Sequence, residues 1–280
     1  MARLLDTIAG FESYARKAAL ETPLQREALW RERYESAYPE VFEAFYASHG
    51  SPEGRPAVAR ELSRVRSRVE EAAPVVRDAI AATEGALPGV LGFTPPVPPR
   101  HVLMVGTLTT NAAVGRLGDD VAVFHCLEWF QAEAGTRALV AHETTHAWHE
   151  LALGHPFPPD AAWTAFAEGV AIAASRLVVP DLAAVDYFWY GHPEVESWLA
   201  WCDEHHDALV GHFADALDEE ATVETYFGGG TIDGQWRVGF YLADWIVRQL
   251  DRPLPELCRL PAEDARRLVR HALGVSAEQG

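Results

Sequence analysis

The histidines His142 and His146 stand four residues apart around Glu143, and this spacing favours a helix. Residues four apart in a helix lie on one face, with their Cβ atoms about 5–6 Å apart. The surrounding residues 134–149 contain no proline, so the local sequence does not interrupt such a helix. We therefore expect a helix that presents both imidazoles side by side.

The pattern HExxH is typical of zinc hydrolases, because two imidazoles on one helix face can bind one Zn²⁺ at about 2.0–2.1 Å. Glu143 lies roughly a quarter turn away, where its carboxylate can take a proton from a water molecule on the metal. A catalytic zinc has three protein ligands and one open position, so a third ligand must be found elsewhere in the chain.

Glu168 is the candidate for that third ligand. Residues 160–175 are predicted to form a helix with Asp160 as N-cap, and between 161 and 174 only Thr164 and Glu168 are neither small nor apolar. A lone carboxylate in a buried helix costs several kcal/mol unless it is paired or binds a metal. We expect Glu168 to complete a site for one Zn²⁺ per chain, and Gly169 to allow close approach of the two metal-binding helices. The alternative is that Glu168 faces solvent or pairs with a distant arginine.

The two elements together resemble the gluzincin metallopeptidases, in which two histidines on one helix and a glutamate on the next bind zinc. More narrowly, the chain resembles a bacterial family of zinc-dependent proteases called domain of unknown function 2268. The resemblance covers about residues 25–250, but only HExxH and Glu168-Gly169 are specific elements. Looser similarities are Trp30, Tyr34 and Tyr38 in a helical lead-in, a strand pair before the HExxH helix, and a later helix that begins near Arg237.

The resemblance implies a zincin-like core and a metallopeptidase that acts on a peptide or protein substrate, with Glu143 as general base. The pattern of elements predicts an α+β fold that is predominantly helical, with a small β-sheet next to the HExxH helix. We divide the chain into a helical N-terminal region, residues 1–95, and a metallopeptidase domain, residues 96–280, although one continuous domain would also fit. Two other functions stay open: a zinc protein without catalytic activity, and a hydrolase of small amides or esters.

Strands are predicted at residues 101–105 and 121–130, with a turn at 115–120, whereas residues 3–87, 133–176 and 182–273 are predicted to be mainly helical. A proline-rich connector at residues 87–100 separates the first helices from the strands. Breaks in the last helical region are expected at Pro193, residues 228–230 and residues 253–255. The strand at 121–130 is either an exposed rim of the active cleft, able to bind an extended peptide, or an interior strand.

A donor for the developing oxyanion is expected outside the two metal helices. Residues 235–248 are predicted to form an amphipathic helix on which Arg237 and Tyr241 share a face. The resembling family has a similar helix near its HExxH motif, which favours this pair over Tyr187, Tyr190 and Tyr226. The alternative is a core tyrosine, with Arg237 bridging to Asp233 or Asp244.

Two further metal arrangements are less favoured. A metzincin site needs Gly and then His at the positions that hold His149 and Ala152, so that class is excluded. His149 shares the face of His142 and His146, and a pocket-lining or packing role is favoured over that of a fourth ligand, which would close the site. In the cluster at residues 203–207, adjacent histidines point about 100° apart, so we interpret the cluster as a solvated acidic helix face.

Composition limits the partners of the chain. A formal net charge of −18 disfavours nucleic acid and anionic membranes, because phosphate groups would be repelled. The chain has no apolar run near ~18 residues that could span a membrane, and its N-terminus lacks the features of a signal peptide. The three cysteines, Cys126, Cys202 and Cys258, are far apart and odd in number, which predicts reduced thiols and a cytoplasmic location.

Overall fold

Helices and one small mixed sheet make up the protein in a computed structural model that describes residues 2–192 and 195–275. The fold is α+β and predominantly helical, as predicted. The strands are β1 (Arg3–Asp6), β2 (Arg100–Met104), β3 (Ala112–Leu117), β4 (Asp120–Cys126), β5 (Thr231–Ile232) and β6 (Gln235–Trp236). The helices are α1 (Ile8–Ala18), α2 (Pro23–Leu29), α3 (Pro39–Ser48), α4 (Arg55–Arg60), α5 (Leu62–Leu91), α6 (Glu133–Leu153), α7 (Ala161–Val178), α8 (Asp186–Trp189), α9 (Glu196–Glu204), α10 (His206–Ala216), α11 (Thr222–Phe227), α12 (Val238–Gln249), α13 (Leu254–Leu257) and α14 (Ala262–Ala272).

The main sheet has the strand order β1-β2-β4-β3, so β4 is an interior strand and β3 lies at an edge. β1, β2 and β4 are parallel neighbours, whereas β3 is antiparallel to β4, with Ala113 opposite Phe124. The predicted strand at 121–130 is therefore shorter than expected, ends at Cys126, and is not the exposed rim. The predicted turn at 115–120 is also shorter, because β3 continues to Leu117.

β1 was not predicted, and the expectation that residues 3–87 are helical is wrong at this strand. Its four residues are stabilised by pairing with β2, from Arg3 opposite Arg100 to Asp6 opposite Leu103. Arg3 also donates two hydrogen bonds to Asp120 at 2.7 and 2.8 Å. These contacts join segments far apart in the chain, so no local pattern indicates them. Since one sheet joins strands from both sides of residue 95, the division of the chain at that position stays a prediction.

The N-terminal helices are interrupted more often than the sequence predicts. The region at residues 3–87 that was expected to be mainly helical is broken around Tyr38 and Pro39, and short π and 3₁₀ turns separate α2 from α3. Trp30 and Tyr34 are buried there, and the Tyr34 hydroxyl accepts a hydrogen bond from the Val105 N–H at 2.9 Å, just after β2. The lead-in is thereby attached to the end of the sheet.

α5 continues through Pro74 and Pro88 and ends where Gly92 adopts a left-handed conformation, so the connector begins later than predicted. A buried face that includes Val69, Val76 and Ile80 stabilises this helix against the loss of proline hydrogen bonds. α6 packs against both α5 and α7, and α12 also packs against α7. Most residues of the HExxH helix between Gly135 and His149 are consequently buried.

The last helical region agrees with two of the predicted breaks. α11 ends at Phe227 before residues 228–230, and α12 ends at Gln249 before α13 begins at Leu254. The break at Pro193 falls outside the described residues. Residues 231–236 form a β-hairpin, so the predicted helix at 235–248 begins only at Val238.

Two expectations from composition concern the described residues directly. Within residues 2–192 and 195–275, none of the helices is long and apolar enough to cross a membrane. Cys126, Cys202 and Cys258 are buried and unpaired.

Candidate metal centre

His142 and His146 lie side by side on α6, as the HExxH spacing predicts. Their ring centroids are 4.6 Å apart with an interplanar angle of 81°, and both residues are buried. α6 runs without a break from Glu133 to Leu153 and ends where Gly154 adopts a left-handed conformation. The local sequence therefore positions two imidazoles on the buried face of one helix.

Glu168 reaches the same point from α7. The Asp160 side chain accepts a hydrogen bond from the Trp163 N–H at 2.9 Å and caps α7, as predicted. Glu168 Oε2 lies 2.9 Å from His142 Nε2 and 3.3 Å from His146 Nε2, and the two Nε2 atoms are 3.0 Å apart. The structure thus brings together the three residues that the sequence analysis selected as metal ligands.

These distances fit a zinc ion. Ligand atoms at about 2.0–2.1 Å from a tetrahedral metal are separated from one another by roughly 3.3 Å. The three observed separations are close to this value. Within the described part of the chain, no other group of at least three His, Cys, Asp or Glu residues converges in this way. Two imidazoles and one carboxylate form one of the donor sets found in catalytic zinc sites.

Electrostatic interactions within the cluster favour an ionised carboxylate. Burial raises the pKa of Glu168, but the neighbouring His146 and His142 imidazoles outweigh this effect and lower the pKa below its usual value. For His146 the effects are reversed: burial lowers its pKa, and Glu168 raises it above the usual range. A metal ion would replace these protons, because its ligands bind in their deprotonated forms.

Packing orients the two imidazole rings. Neither His142 Nδ1 nor His146 Nδ1 has a hydrogen-bond partner among the described residues, although such a partner commonly fixes a metal-binding histidine. The His142 ring instead lies 5.7 Å from the Tyr190 ring and 6.4 Å from Phe240, and His146 lies 6.0 Å from Phe157. Contacts with aromatic rings therefore hold the orientation of the two imidazoles in place of a polar partner.

A cleft of about 610 Å³ lies in front of the cluster. Glu143 lines it beside His142, is half-buried, and has no hydrogen-bond partner among the described residues. Other lining residues come from the edge strand, the loop between α6 and α7, the end of α8, and the start of α12: Ala113, Gly115, Phe157, Tyr190, Arg237 and Phe240. A carboxylate without a partner at the mouth of the ligand cluster is placed to accept a proton.

β3, and not β4, is the strand that borders the cleft. Residues 112–116 of β3 line the cleft, whereas β4 is covered by a strand on each side. The strand at 121–130 was expected to be either an exposed rim or an interior strand, and it is the interior strand; β3 itself was not predicted. The residues of β4 are continuously apolar because this strand is interior. β3 contains Gly115 and Arg116 and has a weaker strand signal.

Arg237 and Tyr241 do not border the same surface. Arg237 lines the cleft, but the Tyr241 hydroxyl lies 3.1 Å from His206 Nδ1 on α10 and does not border the cleft. They were expected to share a helix face, but α12 begins one residue after Arg237, which has a left-handed backbone with φ of +58°. The helical spacing between the two residues is therefore lost.

Tyr190 lies beside His142, although the sequence favoured Tyr241 over Tyr190 as the donor. Its ring contacts the His142 ring, and its hydroxyl is buried without a hydrogen-bond partner among the described residues. Burial raises the pKa of Tyr190 well above its usual value, and nearby Arg237 opposes this shift only in part. The hydroxyl is thus protonated at neutral pH and able to donate a hydrogen bond.

The backbone at Tyr190 is held against the start of α6. Tyr190 has a left-handed conformation with φ of +56°, which is uncommon for a side chain of this size. A Cβ on Gly135 of α6 would lie only 2.0 Å from the Tyr190 carbonyl oxygen, so glycine is required for this contact. No periodic pattern in the sequence indicates this position, and only the approach of α8 to α6 identifies it.

His149 has a packing role in the structure. It is fully buried among the rings of Phe157, Trp163 and Phe166, with centroid distances of 5.1 to 6.0 Å. Neither ring nitrogen has a hydrogen-bond partner among the described residues, and burial lowers the pKa of His149 to about 3. His149 is therefore neutral at physiological pH and is not part of the ligand cluster.

The cluster at residues 203–207 lies at the junction of α9 and α10. Asp203, Glu204 and Asp207 are exposed. His205 Nδ1 lies 2.8 Å from the Trp201 carbonyl oxygen, whereas His206 contacts Tyr241. The two histidines thus have different partners, which agrees with the interpretation of a solvated acidic face.

Comparison of the chain with known protein families, with curated proteins and with solved structures found no match. The proposed function therefore depends on the geometry of the cleft.

Proposed function

We propose that the protein is a zinc-dependent hydrolase of the gluzincin type, most specifically a metallopeptidase. The observation that carries this proposal is the convergence of His142 Nε2, His146 Nε2 and Glu168 Oε2 within 3.3 Å of one another, beside Glu143. The resemblance of HExxH and Glu168-Gly169 to gluzincins supports the same assignment. A structural zinc site has no need of an unpaired carboxylate at the position of Glu143.

The residues of the cleft suit hydrolysis of an amide. Zinc bound by the three ligands would supply Lewis acidity, which lowers the pKa of water and polarises a carbonyl group. The Glu143 carboxylate accepts one proton from the attacking water as the new C–O bond forms. It then returns this proton to the leaving nitrogen as the C–N bond breaks. Glu143 therefore acts first as a base and then as an acid.

Tyr190 is the better donor for the developing oxyanion in this proposal, in place of Tyr241. Its ring lies beside that of His142 and its hydroxyl is buried and protonated, whereas the Tyr241 hydroxyl points away from the cleft and contacts His206 on α10. A donor that is already in place needs no reorganisation during the reaction. Arg237 lies near Tyr190, with its guanidinium carbon 5.9 Å from the ring centroid, and a donor role for Arg237 stays a second prediction.

A peptide is the substrate that the shape of the cleft favours. β3 is an edge strand, and residues 112–116 of this strand line the cleft beside the ligands. Unpaired backbone groups of an edge strand can bind an extended peptide by β-sheet hydrogen bonds. A small amide or ester would leave most of this strand unused, so the strand favours the peptidase over the hydrolase of small molecules.

The test combines metal analysis with a cleavage assay. We expect about one zinc per purified chain, and we expect zinc-loaded protein to cleave members of a broad peptide library that is analysed by mass spectrometry. Glu143→Gln should retain the zinc and lose nearly all cleavage, because Glu143 is not a ligand. Zinc binding without cleavage of any peptide, amide or ester would support the non-catalytic zinc protein. Absence of zinc binding would overturn the proposal.

A further inference from the structure

We propose that Arg237 binds the carboxylate of the substrate, specifically the free C-terminus of a short peptide. This inference rests on the proposed peptidase function and assigns Arg237 to substrate selection instead of transition-state stabilisation. The site would consequently cleave close to the C-terminus of its substrates.

Arg237 lies in a cage of aromatic rings at the cleft. Its guanidinium carbon is 4.0 Å from the Phe240 ring centroid, 5.5 Å from Trp189 and 5.9 Å from Tyr190. Rings of this kind hold an arginine in place and exclude water from it. A fixed and partly desolvated guanidinium binds a carboxylate more strongly than a flexible, fully hydrated one.

The guanidinium of Arg237 is also left without an acidic partner within the described part of the chain. Its one hydrogen bond there is a 3.5 Å contact from Nη2 to the Phe188 carbonyl oxygen, and its Nε is buried without a partner. The other arginine at the cleft, Arg116, forms an ion pair with Glu150. A planar guanidinium has five N–H donors, so Arg237 retains donors for a planar anion.

The conformation of Arg237 supports a role in binding. Its φ of +58° lies in the left-handed region, which is unfavourable for a residue with a large side chain. Strain of this kind collects at functional sites, where the surrounding structure enforces it. Arg237 also precedes the twelve-residue helix α12, whose first N–H groups add positive potential at the same place.

The charges of the cleft balance only when an anion is added. With zinc bound, two positive charges face the carboxylates of Glu143 and Glu168, and Arg116 is neutralised by Glu150. One positive charge remains on Arg237, with His49 counted as neutral. A substrate with one carboxylate compensates this charge, and every peptide carries such a group at its C-terminus. If Arg237 acted only as a donor to the oxyanion, its positive charge would stay uncompensated in the enzyme–substrate complex before the reaction.

The test uses one peptide sequence as the free C-terminal acid and as the C-terminal amide, and a third peptide that is the same amide with its last residue replaced by Asp. kcat and KM are measured with zinc-loaded protein. Binding is measured by calorimetry with the zinc-free protein, which does not depend on activity. Arg237→Gln is compared with Arg116→Gln, the other arginine at the cleft.

We expect the wild type to favour the free acid over the amide by about 10- to 100-fold in kcat/KM, mainly through KM, and to favour it also in binding. Arg237→Gln should reduce both preferences to about one, whereas Arg116→Gln should keep them. Preference for the Asp amide over the free acid would show that Arg237 binds an acidic side chain and not the C-terminal carboxylate. That result would overturn the proposed cleavage position. Equal cleavage and binding of acid and amide by the wild type, or a preference that persists in Arg237→Gln, would refute the role of Arg237.

The two proposals can fail separately. If zinc-loaded wild type cleaves none of the peptides in the library, the peptidase function fails. The role of Arg237 is then decided by binding to the zinc-free protein alone: preference for the acid that is lost in Arg237→Gln supports it, and equal binding contradicts it. A uniform decrease of kcat for all three peptides in Arg237→Gln, with the preference for the acid retained, would show a donor to the oxyanion instead.

Discussion

Gly169 on α7 lies directly against the carbonyl group of Ala243 on α12. A Cβ on Gly169 would be 2.2 Å from the Ala243 oxygen. From the sequence, this glycine was expected to allow close approach of α6 and α7, the two helices that carry the candidate ligands, but the contact joins α7 to α12. Glu168 precedes Gly169 and Arg237 precedes α12, so this contact joins the two elements that carry the candidate third ligand and the arginine of the cleft.

Gly169→Ala should therefore destabilise the protein and disturb the cleft. The added methyl group meets backbone atoms that cannot rotate away, and overpacking of this kind typically costs about 1–3 kcal/mol. Denaturant unfolding measures the change in the free energy of unfolding. Gly211→Ala is the matched control, because Gly211 lies within α10 and a Cβ there has open space. The control should be neutral or more stable by up to ~1 kcal/mol, and equal effects of the two substitutions would contradict the packing argument.

Glu168→Gln should weaken zinc binding by more than about 100-fold, because loss of groups that merely support metal ligands already costs about 10–100-fold. The affinity is measured by competition with a chelator of known zinc affinity. Glu150→Gln is the control: Glu150 also borders the cleft, but its carboxylate pairs with Arg116 and does not belong to the ligand cluster. If both variants retain the affinity of the wild type, the third ligand is a different residue.

Tyr190→Phe should lower kcat/KM by on the order of 10²-fold with zinc content unchanged, as for removal of one oxyanion donor. Tyr241→Phe removes only the hydroxyl that lies 3.1 Å from His206, so it should change stability by about 1 kcal/mol and leave the catalytic rate nearly the same. Steady-state kinetics on a peptide identified in the library separates the two. If Tyr241→Phe loses rate and Tyr190→Phe does not, the oxyanion donor is Tyr241.

Acid should destabilise the zinc-free protein through His149. Burial lowers the pKa of His149 from 6.5 to about 3, so below pH 6.5 the unfolded chain binds a proton that the folded protein does not. This contribution to stability is complete above pH 6.5 and decreases by up to about 1.4 kcal/mol per pH unit between pH 6.5 and 3. At pH 4.5 the loss is about 3 kcal/mol.

His149→Leu should remove this part of the pH dependence, because leucine fills a similar volume and does not titrate. Urea unfolding in the presence of a chelator, at pH 7 and pH 4.5, measures the difference. Part of the acid sensitivity should remain, since burial also lowers the pKa of His125 well below its usual value. His155→Leu changes an exposed residue and should keep the slope of the wild type. A slope in His149→Leu equal to that of the wild type would show that His149 titrates normally in the folded state.

The elements that were predicted correctly depend on interactions between near neighbours in the chain. The four-residue spacing of His142 and His146 can be read from helix geometry alone, and the cap at Asp160 depends on a hydrogen bond to Trp163, three residues later. Glu168 could be selected because a single carboxylate in an apolar helix needs a partner, whatever the rest of the fold. Two helices and three candidate ligands could thus be predicted from the sequence alone.

The incorrect or missing assignments all depend on packing between distant segments. β1 is stabilised by β2, the cleft is bordered by β3 because β4 is covered on both sides, and Tyr190 reaches His142 because Gly135 lets its backbone approach α6. Arg237 was separated from Tyr241 by a left-handed residue at the start of α12. Helical periodicity and capping extend over about one turn, so they determine which side chains one helix presents together. Which residues of other elements face those side chains is decided by steric fit and burial across the whole chain, and only the tertiary structure records that outcome.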